Sequence, residues 1–292
     1  MVKFVKMQGS GNDFIVVDEW NKTVVPERDK PLFVSKICDR HFGVGSDGVI
    51  FVQKSRSADA KFQFFNPDGS LAEMCGNGIR CFAKYVYEQG LVKKTMMRLE
   101  TRAGVKTVVL DVHKGGVASI RVGMGAPQIT RNGAQVAGKP DELMINEQVT
   151  INGASYRITA VGMGNPHAIL FVDDVDSVDV AGIGSKIRNC TMLFPNGINV
   201  HFIQKTGVNE FSIRTYERGV ENETLACGTG ICASAVAAVL NKRADPNKTL
   251  KFRAKGGLLA VDIKVKDGII VDVFLAGPAV SVFEGVYEYQ QK

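Results

Sequence analysis

The sequence predicts an α+β protein of two related domains, and three observations carry that reading. A Cys followed by Gly-x-Gly and a helical pattern occurs twice, as Met-Cys-Gly-Asn-Gly-Ile-Arg-Cys at Met74–Cys81 and Ala-Cys-Gly-Thr-Gly-Ile-Cys at Ala226–Cys232. Short strand-like runs dominate elsewhere, without the strict strand–helix alternation of a doubly wound sheet. Other pairs keep nearly the same spacing: Asn12 and Asn165 are 153 residues apart, Cys75 and Cys227 152, Asp47 and Asn199 152, and Asn66 and Glu217 151. Ser35-Lys36-Ile37 recurs at Ser185-Lys186-Ile187. So long a period in constant order indicates a duplicated domain and not a solenoid.

Each element follows from local pattern. Met1–Asp18 reads as a strand, a turn at Gly9-Ser10-Gly11-Asn12-Asp13, and a second strand over Phe14–Val17. Pro31 opens a short helix over Leu32–Asp39, since Pro suits a first turn. A glycine-rich turn at 43–48 precedes the strand Val49–Gln53, and Phe62–Phe65 is strand-like before the turn Asn66-Pro67-Asp68-Gly69. After Cys75, Ile79, Phe82, Ala83 and Val86 fall on one helical face, with Gly90 as a stop. Strands are expected at Arg98–Thr101, Val105–Val112 and Val117–Val122. The pattern restarts at Gly162-Met163-Gly164-Asn165-Pro166-His167 and the run Ala168–Val172. Ile231–Leu240 is apolar nearly all round, which predicts a helix buried on every side. Strands at Thr249–Arg253, Leu258–Lys266, Gly268–Leu275 and Ala279–Val286 complete the chain. The Gly-Pro breaks place one domain at 1–122 plus 277–292 and the other at 123–276, the last strand crossing back to the first.

Composition narrows the function. The 292 residues are 45% hydrophobic and 23% charged, as in an ordinary globular protein. The net charge of +6 is spread along the chain, which argues against nucleic acid as a partner. No run approaches the roughly 20 apolar residues of a membrane span, and the first residues lack a signal-peptide pattern. Six scattered cysteines do not make a disulfide framework, so a cytoplasmic protein with free thiols is expected. Zinc is disfavoured, because Cys75/Cys81 and Cys227/Cys232 lie on helices and the four His are dispersed. A nucleotide site is disfavoured too: residues 43–48 lack the Lys-Ser/Thr of a phosphate loop.

The duplicated motif suggests the chemistry. Each copy sets a thiol at a helix N-terminus, where unpaired N–H groups and the helix dipole favour thiolate. In pseudo-symmetric domains Cys75 and Cys227 would meet across a cleft, and one sulfur could remove a proton from an acidic C–H while the other returns one to the opposite face. Such two-base inversion needs neither metal nor cofactor. Cys38, Cys81, Cys190 and Cys232 read as small buried hydrophobes. Asn12, Asn66, Asn165 and Asn199 sit in turns, where Asn is commonly a turn former, yet their duplicated positions also suit a ring of amides around a polar ligand. Arg218 suits a carboxylate; Glu217 and His167 stand where they could tune a thiol.

These residues resemble the diaminopimelate epimerase family along almost the whole chain: Gly-x-Gly-Asn-Asp-Phe at 9–14, Phe-Asn-x-Asp-Gly-Ser at 65–70, Cys-Gly-Asn-Gly-x-Arg-Cys at 75–81, Gly-Asn-Pro-His at 164–167, Tyr-Glu-Arg-Gly at 216–219 and Ala-Cys-Gly-Thr-Gly at 226–230. The resemblance implies two domains, each a mixed, mostly antiparallel sheet rolled around a central helix, with the active site in the cleft between them. It implies a cofactor-independent epimerase that interconverts LL- and meso-diaminopimelate for lysine and peptidoglycan precursors, and a homodimer. Carried over, Cys75 and Cys227 are the acid/base pair and His167 and Glu217 adjust them. Asn12, Asn66, Asn165, Asn199, Glu217 and Arg218 bind substrate, and the backbone at Gly76-Asn77 and Gly228-Thr229 holds carboxylate. Three positions depart from the pattern: Gly48 replaces a Gln of some members, the loop 219–224 is one residue longer, and Phe283 replaces a Tyr associated with dimer contact. A racemase for another amino acid, such as proline, remains the nearest alternative. Proline racemases usually have His at the place of Asn77. An anion-binding module would not need two matched thiols, and a redox pair would act only by oxidant-dependent exchange.

Overall fold

A computed structural model describes residues 1–289. The chain forms two compact units, Met1–Val122 with the segment from Gly277 onward, and Gly123–Ala276.

In the first unit, β1 (Val2–Gly9) pairs antiparallel with β2 (Asn12–Asp18), which runs parallel to β3 (Val49–Gln53). Parallel neighbours need a crossover, and α1 (Lys30–Cys38), with its Pro in the first turn, lies in this one. β3 is antiparallel to β4 (Ala60–Phe65), and β4 is parallel to β5 (Met96–Thr101) across the crossover that holds α2 (Gly76–Glu88). β6 (Gly104–His113) and β7 (Gly116–Gly125) continue antiparallel. The C-terminal strand Val280–Tyr287 pairs antiparallel with β1.

The second unit repeats the same pairings. β8 (Glu147–Ile151) and β9 (Ala154–Gly162) form a hairpin. β9 pairs antiparallel with β10 (Pro166–Phe171), and β10 runs parallel to β11 (Asn199–Gly207), with α3 (Val180–Arg188) in the crossover. β11 is antiparallel to β12 (Glu210–Glu217), which is parallel to β14 (Leu250–Ala254) across α4 (Gly228–Leu240). β15 (Gly257–Lys266) and β16 (Ile269–Gly277) follow antiparallel. The duplication seen as a residue spacing is thus a duplication of strand order, strand direction and crossover helix.

The cores explain the two long helices. α2 buries Ile79, Phe82, Ala83 and Val86, the positions its periodicity selects. α4 is buried from Gly230 to Ala238 and packs with Phe211, Phe252, Val261 and Leu275. Three sequence expectations need correction. Asn12 and Asn199 are the first residues of β2 and β11 and not turn residues. The 219–224 stretch is not loop throughout: it ends in a short strand, β13 (Asn222–Thr224), which pairs antiparallel with β12. The hairpin β8–β9 occupies a stretch to which the sequence pattern assigned no element. Gly48 also gains an explanation: its φ is +151°, and a Cβ there would lie 2.4 Å from the Phe64 ring and from the Phe65 carbonyl oxygen. A Gln side chain does not fit this backbone. Among the described residues no helix is long and apolar enough to cross a membrane.

Candidate active site

Cys75 is the N-cap of α2. Its extended backbone (φ −136°, ψ 118°) turns the side chain back over the first turn, and Sγ accepts a hydrogen bond from the Gly78 N–H at 3.4 Å. A thiol here takes the role that Ser or Asp usually plays at a helix start. The adjoining side chains are locked together. Asn77 is buried and donates from Nδ2 to Asn12 Oδ1, while Asn12 Nδ2 donates to Asp47 Oδ2 at 3.0 Å. The fully buried Arg80 donates to Asn77 Oδ1 at 2.9 Å, to Ser10 Oγ at 2.9 Å and to the carbonyl oxygens of Gly76 and Pro278 at 3.3 Å. This fan of bonds fixes the start of α2 against β1, β2 and the C-terminal segment. Asn77, expected to contribute only its backbone, therefore also braces the site with its side chain. Asn66 donates to Ser70 Oγ at 3.0 Å in its own turn.

Cys227 is the N-cap of α4, with a similar extended backbone (φ −115°, ψ 108°). Its sulfur lies 3.6 Å from Thr229 Oγ1. Burial pushes this thiol well above its ordinary pKa, and the Glu217 carboxylate pushes in the same direction. Glu217 accepts a bond from Thr224 Oγ1 at 2.9 Å, so the hairpin strand β13 orients the carboxylate. Asn199 is buried; its Nδ2 donates to the Pro166 carbonyl at 3.0 Å and its Oδ1 accepts the Arg218 N–H at 2.9 Å. Arg218 Nη1 donates to the Asn196 carbonyl at 2.9 Å.

His167 lies inside β10 and is fully buried, with Nε2 2.8 Å from Asn165 Oδ1 and Nδ1 2.8 Å from Nε2 of His201. Burial holds both imidazoles neutral: His167 is well below its ordinary pKa, with His201 and Arg218 adding to the effect, and His201 falls to about 3. His201 Nδ1 is in turn 2.9 Å from Thr215 Oγ1. Neither His201 nor Thr215 stood out in the sequence. The available signal was strand alternation, which turns His201 to the same face as Asn199 two residues earlier. Ligand atoms of His167, His201 and Cys227 lie within 4.8 Å of one another, a donor set that zinc accepts. Both imidazoles, however, already use their nitrogens on each other and on Asn165 and Thr215.

The other thiols differ. Cys81 is buried within α2 and pushed up to about 12, and burial also raises Cys38. Such groups are poor nucleophiles and poor bases near neutrality. The structure thus sets Asn77, with Asn12 bonded to it, in the first turn after Cys75, and His167, His201, Glu217 and Thr229 near Cys227. Asn165 joins through His167, Asn199 bonds the Arg218 backbone, and Asn66 bonds within its own turn.

Chains of like fold place the protein in a class. It is similar to a phenazine biosynthesis protein of the PhzF family from Bacillus anthracis (TM-score 0.70, 19% identity, covering 97% of this chain and 98% of that one). It is also similar to a probable proline racemase from Agrobacterium radiobacter (TM-score 0.71, 15% identity, covering 99% and 94%). The fold is therefore the duplicated one shared by these proteins. Sequence narrows the class further: the diaminopimelate epimerase family model matches residues 4–130 and 159–282. The diaminopimelate epimerase of Methanothermobacter thermautotrophicus is 44% identical over 288 residues, 98% of each chain. That of Pelotomaculum thermopropionicum is 46% identical over 287 residues, 98% of this chain and 99% of the relative. The chain belongs to the diaminopimelate epimerase family, a family of isomerases.

Proposed function

We propose that this protein interconverts LL- and meso-diaminopimelate by a two-base mechanism without cofactor or metal, in the supply of lysine and peptidoglycan precursors. The observation that carries the reading is the pair of matched N-cap cysteines, one in each copy of a duplicated fold. Family membership and the names of relatives more than 40% identical support the substrate.

In this mechanism Cys75 and Cys227 work on opposite faces of one α-carbon. The raised pKa of Cys227 suits the protonated partner in the resting enzyme, which leaves Cys75 as the first base. Deprotonation at Cys75 and reprotonation from Cys227 invert the centre; the reverse reaction exchanges the roles. The N–H groups at Gly76-Asn77 and Gly228-Thr229 receive the carboxylate next to the reacting carbon, where two helix N-termini also stabilise the negative charge that develops. Glu217 and His167 tune Cys227. Asn12, Asn66, Asn165, Asn199, Glu217 and Arg218 bind the rest of the substrate, and a bidentate Arg fits a second carboxylate.

The 1–122 plus 277–292 and 123–276 segments are the two epimerase halves, and the enzyme acts in the cytoplasm as a homodimer. Exposed Val280, Val282, Phe283 and Val286 on the C-terminal strand support a self-association surface. The direct test is incubation of the reduced protein with LL-diaminopimelate in deuterated water, following label and configuration at the α-carbon. Deuterium is expected to enter as the meso isomer forms. Absence of exchange above background defeats the proposal, and exchange on proline instead reassigns the substrate.

A further inference from the structure

We propose that His201 and Thr215 are positioning residues which, acting through His167, fix Asn165 as a hydrogen-bond donor toward a substrate carboxylate. The inference rests on the reading above that Asn165 binds substrate, and it adds two residues and the chemical sense of the contact.

The relay is built by strand register. His201 of β11 is the direct partner of Thr215 on β12. His167 of β10 is the partner of Asn199, two residues before His201 on the same face of β11. The side chains therefore line up across three neighbouring strands as Thr215, His201 and His167, ending on Asn165 just before β10. The His201 ring fits only because Gly230 in the first turn of α4 lacks a side chain: a Cβ there would lie 2.0 Å from His201 Cε1.

Four neutral groups in a row permit two consistent proton arrangements. In one, Thr215 O–H donates to His201 Nδ1, His201 Nε2–H donates to His167 Nδ1, and His167 Nε2–H donates to Asn165 Oδ1. In the other every bond is reversed, and the Asn165 amide must turn to donate its N–H to His167. Asn165 Oδ1 faces His167 Nε2, which selects the first arrangement. The carbonyl end of the amide is thereby occupied, and its NH2 is the end left for a ligand. An NH2 group complements a carboxylate, which only accepts; the reversed arrangement would present a carbonyl oxygen to it. Burial of both rings removes water as a competing partner, so the sense is selected at the Asn165 end, and Thr215, whose hydroxyl can donate or accept, supplies the proton that completes the row.

The test has two arms. Nitrogen-15 NMR of the substrate-free enzyme is expected to show His167 with a protonated Nε2 and a bare Nδ1. A proton on Nδ1 overturns the inference. In kinetics, Thr215→Val is expected to raise KM for diaminopimelate about tenfold with kcat within about twofold, the scale of one hydrogen bond to a charged group. It should also bring both His167 tautomers into the spectrum, and Thr215→Ser should restore KM and the single tautomer. If Thr215→Val retains the wild-type KM and tautomer, or loses kcat alone, the inference fails. Should the Val variant not fold, Thr215→Ala is read by the same criteria. The NMR arm needs no turnover, so an inactive enzyme with the expected tautomer defeats the proposed function alone. An active enzyme with the opposite tautomer defeats this inference alone.

Discussion

Cys75 and Cys227 occupy the same place in two copies of one fold, yet their surroundings have diverged. Cys75 is half-buried, with a backbone N–H on its sulfur and a charged brace behind it: Arg80 gathers Asn77, Ser10 and two carbonyl groups. Cys227 is buried beside a carboxylate, and its brace is a row of neutral imidazoles. The comparison teaches that a helix N-terminus alone does not set the state of a thiol. The same cap can be outweighed by burial and one nearby anion, so duplication supplies two thiols and their environments set them apart.

The hardest break of the comparison is removal of either sulfur. Cys75→Ala and Cys227→Ala should each lower epimerisation at least about a thousandfold, since inversion needs a group on both faces; the assay is conversion of LL- to meso-diaminopimelate. Near-normal turnover in either variant would show that one thiol serves both faces.

The braces should break differently. Arg80→Ala leaves several buried groups without a donor and should cost about 3 kcal/mol, read as a shift in denaturant midpoint. The imidazole brace should instead answer to pH. His167 and His201 are neutral when folded, whereas unfolded histidines take up protons below about pH 6.5. Between about pH 6.5 and 5 the unfolded state thus binds more protons, and stability falls as pH falls. His201, with a folded pKa of about 3, remains neutral throughout that window. Denaturation across it should show this slope, and His201→Gln should flatten it; an unchanged slope would remove the imidazoles from the account.

The smallest effect concerns the thiols themselves. Near neutral pH an alkylating reagent should reach Cys75 before Cys227, as followed by peptide mass spectrometry. Glu217→Gln removes a negative charge that disfavours thiolate, so alkylation of Cys227 should move to lower pH by a modest amount. Equal rates at the two sulfurs, or no shift in the variant, would erase the proposed asymmetry.

Much of this architecture is legible locally. Cys-Gly-x-Gly followed by apolar residues at helical spacing specifies a capped helix, and α2 and α4 begin one residue after their cysteines. The crossover helix α1 follows from Pro31, and the strand Val49–Gln53 from its unbroken apolar run. The near-constant spacing of the paired residues records the duplication in the sequence itself. The hairpin β8–β9 also carries a local signal: Asn152-Gly153, with φ of 50° and 80°, is a two-residue hairpin turn, and Val149, Ile151, Tyr156 and Ile158 alternate on either side of it. The pairing of β13 escaped because three residues carry too little pattern to be recognised.

The sequence by itself determined where the two thiols stand, which helices they cap, and that the chain says the same thing twice. Those facts depend on residues within a turn or two of each other, or on a spacing that can be counted. Only the tertiary structure decided that Cys227 is the buried thiol, that Asn77 and Arg80 lock the other half, and that His201 and Thr215 stand behind His167. Burial and strand register join residues far apart in the chain: Thr215 meets His201 because β12 turns back along β11, and no local pattern records that meeting.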